Sequence, residues 1–137
     1  MRIQYLPHTA DIRMKIESST LQELFTAGTQ GMSNILRKGF CNQHHSLNHQ
    51  TKIEIQSSDY TCLLIDFLSE VLSLSYIEKS IYCKIQMLYF SKHKLVAVVF
   101  GTRVDFFEEE IKAVTYHEAH VGKNSNNCWE TFIIFDI

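Results

Sequence analysis

Proline is nearly missing from this chain: Pro7 stands alone, beside five glycines in 137 residues. Interdomain linkers are rich in such residues, so none is readable, and residues 1–137 are taken as one domain. No apolar run approaches the roughly 20 residues of a membrane helix. The opening Met1-Arg2-Ile3-Gln4-Tyr5 carries no apolar signal core. A cytoplasmic location and no membrane partner are expected. Clustered basic charge is lacking too. The formal net charge is −2, and Lys92-His93-Lys94 is the nearest thing to a basic run. Strong direct binding to nucleic acid is therefore disfavoured. There is no Gly-x-Ser-x-Gly elbow and no glycine-rich loop ending in Gly-Lys-Ser/Thr. Gly122-Lys123 falls at an expected hairpin tip, a poor phosphate site. Cys41, Cys62, Cys83 and Cys128 form no Cys-x-x-Cys pair. Zinc and redox roles are disfavoured on that spacing, and four reduced, structural thiols are expected.

What is present is a core. Apolar residues make up 45% of the chain, enough for a domain of this size to fold alone. Ile12, Met14 and Ile16 alternate with Arg13, Lys15 and Glu17, the period of a half-buried strand. Ile3 to Leu6 reads as a short strand before it. Thr20 and Glu23 make a capping-box signature. Leu21, Leu24, Phe25, Gly28, Met32, Ile35 and Leu36 then recur at helical spacing. The helix is expected over 20–37, with Gly39 at its stop. Residues 41–50 are polar and histidine-rich, a loop. Ile53 and Ile55 mark another strand. Ser58 or Asp59 can cap a second helix over 59–77, striped by Leu63, Leu64, Phe67, Leu68, Val71 and Leu72. From residue 80 the pattern predicts strands over 81–90, 94–104, 110–121 and 128–137, joined as two hairpins. The expected fold class is α+β, in the order ββαβαββββ: mostly antiparallel sheets packed with two helices.

Candidate chemistry is sparse. His117 and His120 lie three apart on an expected strand, on opposite faces, so they cannot share one ion without a bulge. His44, His45 and His49 read as solvated loop residues. Asp105, Glu108, Glu109 and Glu110 read as a solvated acidic run. Two aspartates stand apart. Asp11 opens the first alternating strand, and Asp136 closes the apolar run from Phe132 to Ile137. A buried final strand would set the Ile137 α-carboxylate beside Asp136. If Asp11 reaches the same place, three anionic groups converge, and hard cations such as Ca²⁺ or Mg²⁺ prefer such oxygens. The competing reading is an exposed terminus with unrelated aspartates.

Four segments together resemble the archease family: His8-Thr9-Ala10-Asp11-Ile12; Leu63 to Leu72; Ile111-Lys112-Ala113-Val114-Thr115-Tyr116-His117; and Ile134-Phe135-Asp136-Ile137. They occur in the family's order and span nearly the whole chain. The resemblance implies an accessory protein, not an enzyme, that serves an RNA-splicing ligase of the RtcB type. Such a protein promotes guanylylation of the ligase by GTP, and so its multiple turnover in tRNA splicing and RNA repair. RNA and GTP would be met only through the ligase. The implied site holds a divalent cation, Ca²⁺ first with Mg²⁺ and Mn²⁺ as alternatives, on Asp11, Asp136 and Ile137. His8, Lys112 and His117 are candidate partner contacts. Two departures stand out: Pro7 replaces the family's usual acidic residue, and the connection from Gly101 to Ile111 looks short. A chaperone-like partner of an RNA-modifying enzyme, such as a tRNA methyltransferase, is the alternative. A metal-dependent phosphohydrolase ranks third, since only Lys112 and His117 are offered as its further groups.

Overall fold

A computed structural model describes residues 1–6 and 10–137. Pro7 and His8 lie outside the described residues, and with them the expectations attached to both. Strand β1 (Arg2–Leu6) pairs antiparallel with β2 (Asp11–Ser18). Helix α1 (Leu21–Leu36) begins where the Thr20 side chain accepts the Glu23 N–H at 3.1 Å. That bond satisfies one of the donors every helix start leaves open. Gly39 adopts φ 72° just beyond the helix, a left-handed stop that glycine tolerates, and a short 3-10 turn, Phe40–Asn42, follows. Strand β3 (His49–Gln56) starts inside the polar stretch read as loop. Its first residue lies opposite Gly101, so backbone pairing extended the strand where side chains gave no signal. Helix α2 (Tyr60–Glu78) is capped by Asp59, whose side chain accepts the Cys62 N–H at 2.8 Å.

Strands β4 (Ser80–Phe90) and β5 (Lys94–Arg103) form the expected first hairpin. The second departs from expectation. In place of one strand over 110–121 there is only β6 (Ala113–Thr115), and Gly122-Lys123, expected at the hairpin tip, forms a short strand, β7 (Gly122–Lys123). Glu118 takes φ 61° between them, a left-handed turn that breaks the extended run. His117 and His120 therefore do not sit on a strand, and the opposite-face argument does not apply to them. Both fragments pair with β8 (Trp129–Asp136).

The strands make two antiparallel sheets, one ordered β1-β2-β8-β6 with β7 also on β8, the other β3-β5-β4. Each helix touches both: α1 contacts β2 and β4, and α2 contacts β3, β4 and β6. One apolar cluster runs through Met14, Ile16, Phe25, Phe67, Val99 and Phe135. Phe25 packs on Phe67 and edge-on to Phe90, with ring centroids 5.9 and 5.2 Å apart. Glycines let backbones approach: a Cβ on Gly28 would stand 3.1 Å from Leu68, the contact of α1 with α2. By length and composition alone α2 is apolar enough to cross a membrane. In the fold its Leu63, Leu64, Phe67, Leu68 and Val71 are buried in the core.

The cysteines also correct the sequence reading. Cys41 and Cys83 are joined as a disulfide across a sequence separation of 42, while Cys62 and Cys128 stay free. Spacing could not reveal this pair, because the bridge links the 3-10 turn after α1 to strand β4 beyond α2. Closing a loop of that length stabilises a fold by about 3–4 kcal/mol.

Gly101 tests the packing of the smaller sheet. A Cβ there would overlap the Ile81 carbonyl and press on the Tyr82 ring. Backbone has to move to make room, so Gly101→Ala is expected to destabilise by about 1–3 kcal/mol, read from the midpoint of urea unfolding.

Candidate metal centre

The larger sheet sets the geometry. β2 and β8 run antiparallel in a register that places Asp11 opposite Asp136, Ile12 opposite Phe135 and Met14 opposite Ile133. Directly opposed residues point to the same face, with Cβ atoms about 4.5–5.5 Å apart. Asp11 and Asp136 are thus delivered to one place from opposite ends of the chain. β8 is held on its other edge as well. Ala113 lies opposite Asp136, and the Lys112 N–H donates to the Asp136 carbonyl at 2.7 Å. Strand β8 stops at Asp136, and Ile137 follows it 38% exposed.

The donor set fits a hard cation. Like charges directly opposite weaken a strand pair, and a divalent ion shared between the two carboxylates removes that cost. Among the described residues, no three His, Cys, Asp or Glu side chains form a metal-holding group. The family resemblance gives the third position to the Ile137 α-carboxylate.

Beside Asp11 lies an open cleft of about 440 Å³, lined by Tyr5, Leu6, Ile12, Asn34, Lys38 and Glu109 among others. The acidic run read as solvated forms part of this wall. The Glu108 carboxylate accepts the Lys38 N–H at 2.7 Å, and the Glu108 N–H donates to the Leu36 carbonyl at 2.8 Å. The run is exposed yet docked on the last turn of α1, where open carbonyls need donors. No sequence signal linked Lys38 or Glu109 to Asp11, since their approach to it is purely tertiary.

The segment 111–117 is braced at both ends. The Tyr76 hydroxyl accepts the Ile111 N–H at 2.7 Å and donates to the Ile111 carbonyl at 2.8 Å. At the far end the Tyr116 hydroxyl donates to the Asp66 carboxylate, which also accepts the Ser57 hydroxyl. Two residues on, the Glu118 carboxylate accepts Arg13 Nε at 3.2 Å. Ile111 and Val114 point into the core, while Lys112, Tyr116 and His117 are exposed. Lys112 is tied to Asp136 through its backbone amide, and His117 sits on the turn after β6. Sequence reasoning passed over Asp66 and Tyr116 as site residues. The available signal was an acid, Asp66, set between the apolar Ile65 and Phe67 of the second helix.

The profile of the Archease protein family (MTH1598/TM1083) matches residues 4–137. The chain belongs to the archease family. Among curated relatives it is similar to protein archease of Methanosarcina barkeri, 28% identical across 98% of this chain and 94% of the relative. It is also similar to an archease-like protein of Drosophila melanogaster, 26% identical across 100% of this chain and 91% of that one. The fold matches the solution structure of Methanobacterium thermoautotrophicum protein 1598, with TM-score 0.78 at 20% identity and 98% of each chain covered. A Thermotoga maritima archease, named a possible chaperone, matches at TM-score 0.64 and 20% identity, over 100% of this chain and 98% of that one. Two helices with mostly antiparallel sheets is therefore the archease fold, as the sequence pattern implies.

The Asp66 bond has a titration signature. Tyr116 is pushed up to about 12 from 10.0, chiefly because its hydroxyl donates to the Asp66 carboxylate and ionisation would break that bond. A raised folded value stabilises the fold fully below the unfolded pKa near 10, and the gain is lost as pH rises through about 12. In this archease Asp66→Asn is expected to return the Tyr116 transition toward 10, followed by ring-carbon NMR of labelled tyrosine against a Tyr116→Phe control. An unshifted transition in Asp66→Asn refutes the assignment.

Proposed function

We propose that this archease is a protein cofactor of an RNA-splicing ligase of the RtcB type, promoting its GTP-dependent guanylylation and repeated turnover in tRNA splicing and RNA repair. The observation that carries this reading is the cross-strand pair of Asp11 with Asp136. With the Ile137 α-carboxylate, these residues would hold one divalent cation, Ca²⁺ in the first place and Mg²⁺ or Mn²⁺ otherwise. When bound, such an ion supplies charge neutralisation for triphosphate oxygens.

The rest falls to the chain's own residues. β2 and β8 present the two carboxylates at a sheet end, beside the cleft that Lys38 and Glu109 line. The Lys112 amide fixes the main chain at Asp136. Lys112 and His117 face solvent on a segment braced by Tyr76 and Tyr116, which suits contacts with a ligase. RNA and GTP are met through that partner, in the cytoplasm, and the chain performs no chemistry of its own.

A second reading has one support. The Thermotoga relative is named a possible chaperone. On that reading this chain steadies an RNA-modifying enzyme, such as a tRNA methyltransferase, through a surface patch and without a metal.

Two measurements separate the readings. In a guanylylation assay with purified ligase, Asp11→Ala and Asp136→Ala are expected to cut stimulation on the order of 10²-fold, the scale of losing a charge-stabilising group. Normal stimulation by both folded variants sinks the acidic-site mechanism. In thermal unfolding without ligase, free Ca²⁺ at a hundredfold over its Kd is expected to stabilise the wild type by about 2.7 kcal/mol. Chelation should reverse the shift, and both variants should lack it.

A further inference from the structure

The Cys41–Cys83 disulfide has three features that a simple structural bridge does not need. The first is the backbone at Cys83. Tyr82 pairs with Gly101 and Lys84 with Phe100, so Cys83 is the extra residue of a bulge in β4, without an opposite residue in β5. Bulges re-aim a single side chain, and this one turns Cys83 toward Cys41. The strand there is secured by other means. The Gln30 side-chain amide donates to the Cys83 carbonyl at 3.1 Å, and the Ser33 hydroxyl donates to the Tyr82 carbonyl at 2.6 Å. Cys83 is thus held in place whether or not the sulfur bond exists.

The second feature is access. Both cysteines are only partly buried. Together they line an open cleft of about 290 Å³ with Gln43, His44, His45 and Leu47. The third feature is asymmetry. Cys41 lies in a short 3-10 turn at the start of the 41–48 stretch, between the end of α1 and β3. That stretch is held by turn bonds at Asn42 and Gln43, by the Thr102 hydroxyl donating to the Ser46 carbonyl at 2.8 Å, and by His45 stacked on Phe40 with centroids 3.8 Å apart. A fixed cysteine faces one on a lightly held segment, across a cleft open to small molecules.

We propose that Cys41–Cys83 is a reversible thiol–disulfide exchange site for a small thiol of the glutathione class, and that its state sets the order of residues 41–48. The thiolate of one glutathione attacks Cys41 Sγ, the sulfur on the lightly held segment. A mixed disulfide forms there and Cys83 Sγ leaves as a thiolate. A second glutathione thiolate attacks the glutathione sulfur of the mixed bond, releasing Cys41 and glutathione disulfide. Two electrons pass to the protein, and two protons finish on the Cys41 and Cys83 sulfurs. The reverse sequence restores the bridge. This site is independent of the ligase reading and of Asp11 and Asp136.

The test uses the full chain in glutathione buffers stepped from oxidising to reducing, acid-quenched, unfolded and alkylated with a maleimide. Oxidised protein should take two labels, on Cys62 and Cys128, and reduced protein four, with native circular dichroism throughout. Amide exchange in residues 41–48 should quicken about tenfold or more on reduction, as local opening without global unfolding requires, while β2 and β8 keep their protection. A double Cys41→Ser, Cys83→Ser variant should show the fast pattern in every buffer. A bridge that survives the most reducing buffer, or that yields only as the native signal collapses, overturns the proposal. So does unchanged exchange over 41–48 in the reduced wild type. Those wild-type readings decide the matter even if the double variant fails to fold.

Discussion

The pairing of β2 with β8 is the constraint on which the rest of this fold leans. Its register is set by burial: Ile12 opposite Phe135, Met14 opposite Ile133 and Ile16 opposite Thr131 all face the core. A slip of one residue would turn every one of those side chains outward. Met14, Ile16, Ile133 and Phe135 are fully buried, and each such side chain is worth about 1.5–3 kcal/mol. Opposed like charges cost only about 0.2–1 kcal/mol. Apolar packing therefore outweighs a like-charge cost of that size, and the register it sets places Asp11 opposite Asp136. A site of this kind needs no local motif; it needs a register, and the core supplies one.

Around that pair, the segment 111–118 is positioned by groups from several elements. Tyr76 closes a ring of two hydrogen bonds with the main chain of Ile111, Tyr116 reaches Asp66 on the same helix, and Glu118 meets Arg13 on β2. Burial raises the Tyr76 hydroxyl above its ordinary pKa, so it remains a donor across the physiological range. An exposed, irregular stretch is thereby given a fixed path. That explains why it can lie beside Asp136 with only three residues in a strand.

Much of this was legible in the sequence, for physical reasons. Both helices were readable because their apolar stripes are long and their starts carry Thr20 and Asp59 as caps. β2 and β8 were readable because one alternates strictly and the other is nearly all apolar. The buried final strand was expected to carry Asp136, but the arrival of Asp11 beside it was only a condition there, and it is the β2–β8 register that meets it. What escaped was set by contacts without periodicity. The break at Glu118 depends on a single left-handed residue. The early start of β3 comes from backbone pairing at His49. Glu108 is fastened to the end of α1 by two hydrogen bonds that no local pattern announces. The Cys41–Cys83 bridge depends on a bulge, which spacing arguments cannot see.

The strand order has a consequence in time. β8 lies between β2 and β6 in the larger sheet, yet it is made after both. During synthesis β1 and β2 emerge as a two-stranded ribbon, which is marginal in water alone. The sheet can knit together only when residues 129–136 have left the ribosome, across a span of more than a hundred positions that slows folding. The acidic pair is thus among the last features to appear, and its presence reports that assembly of the sheet has reached its final step.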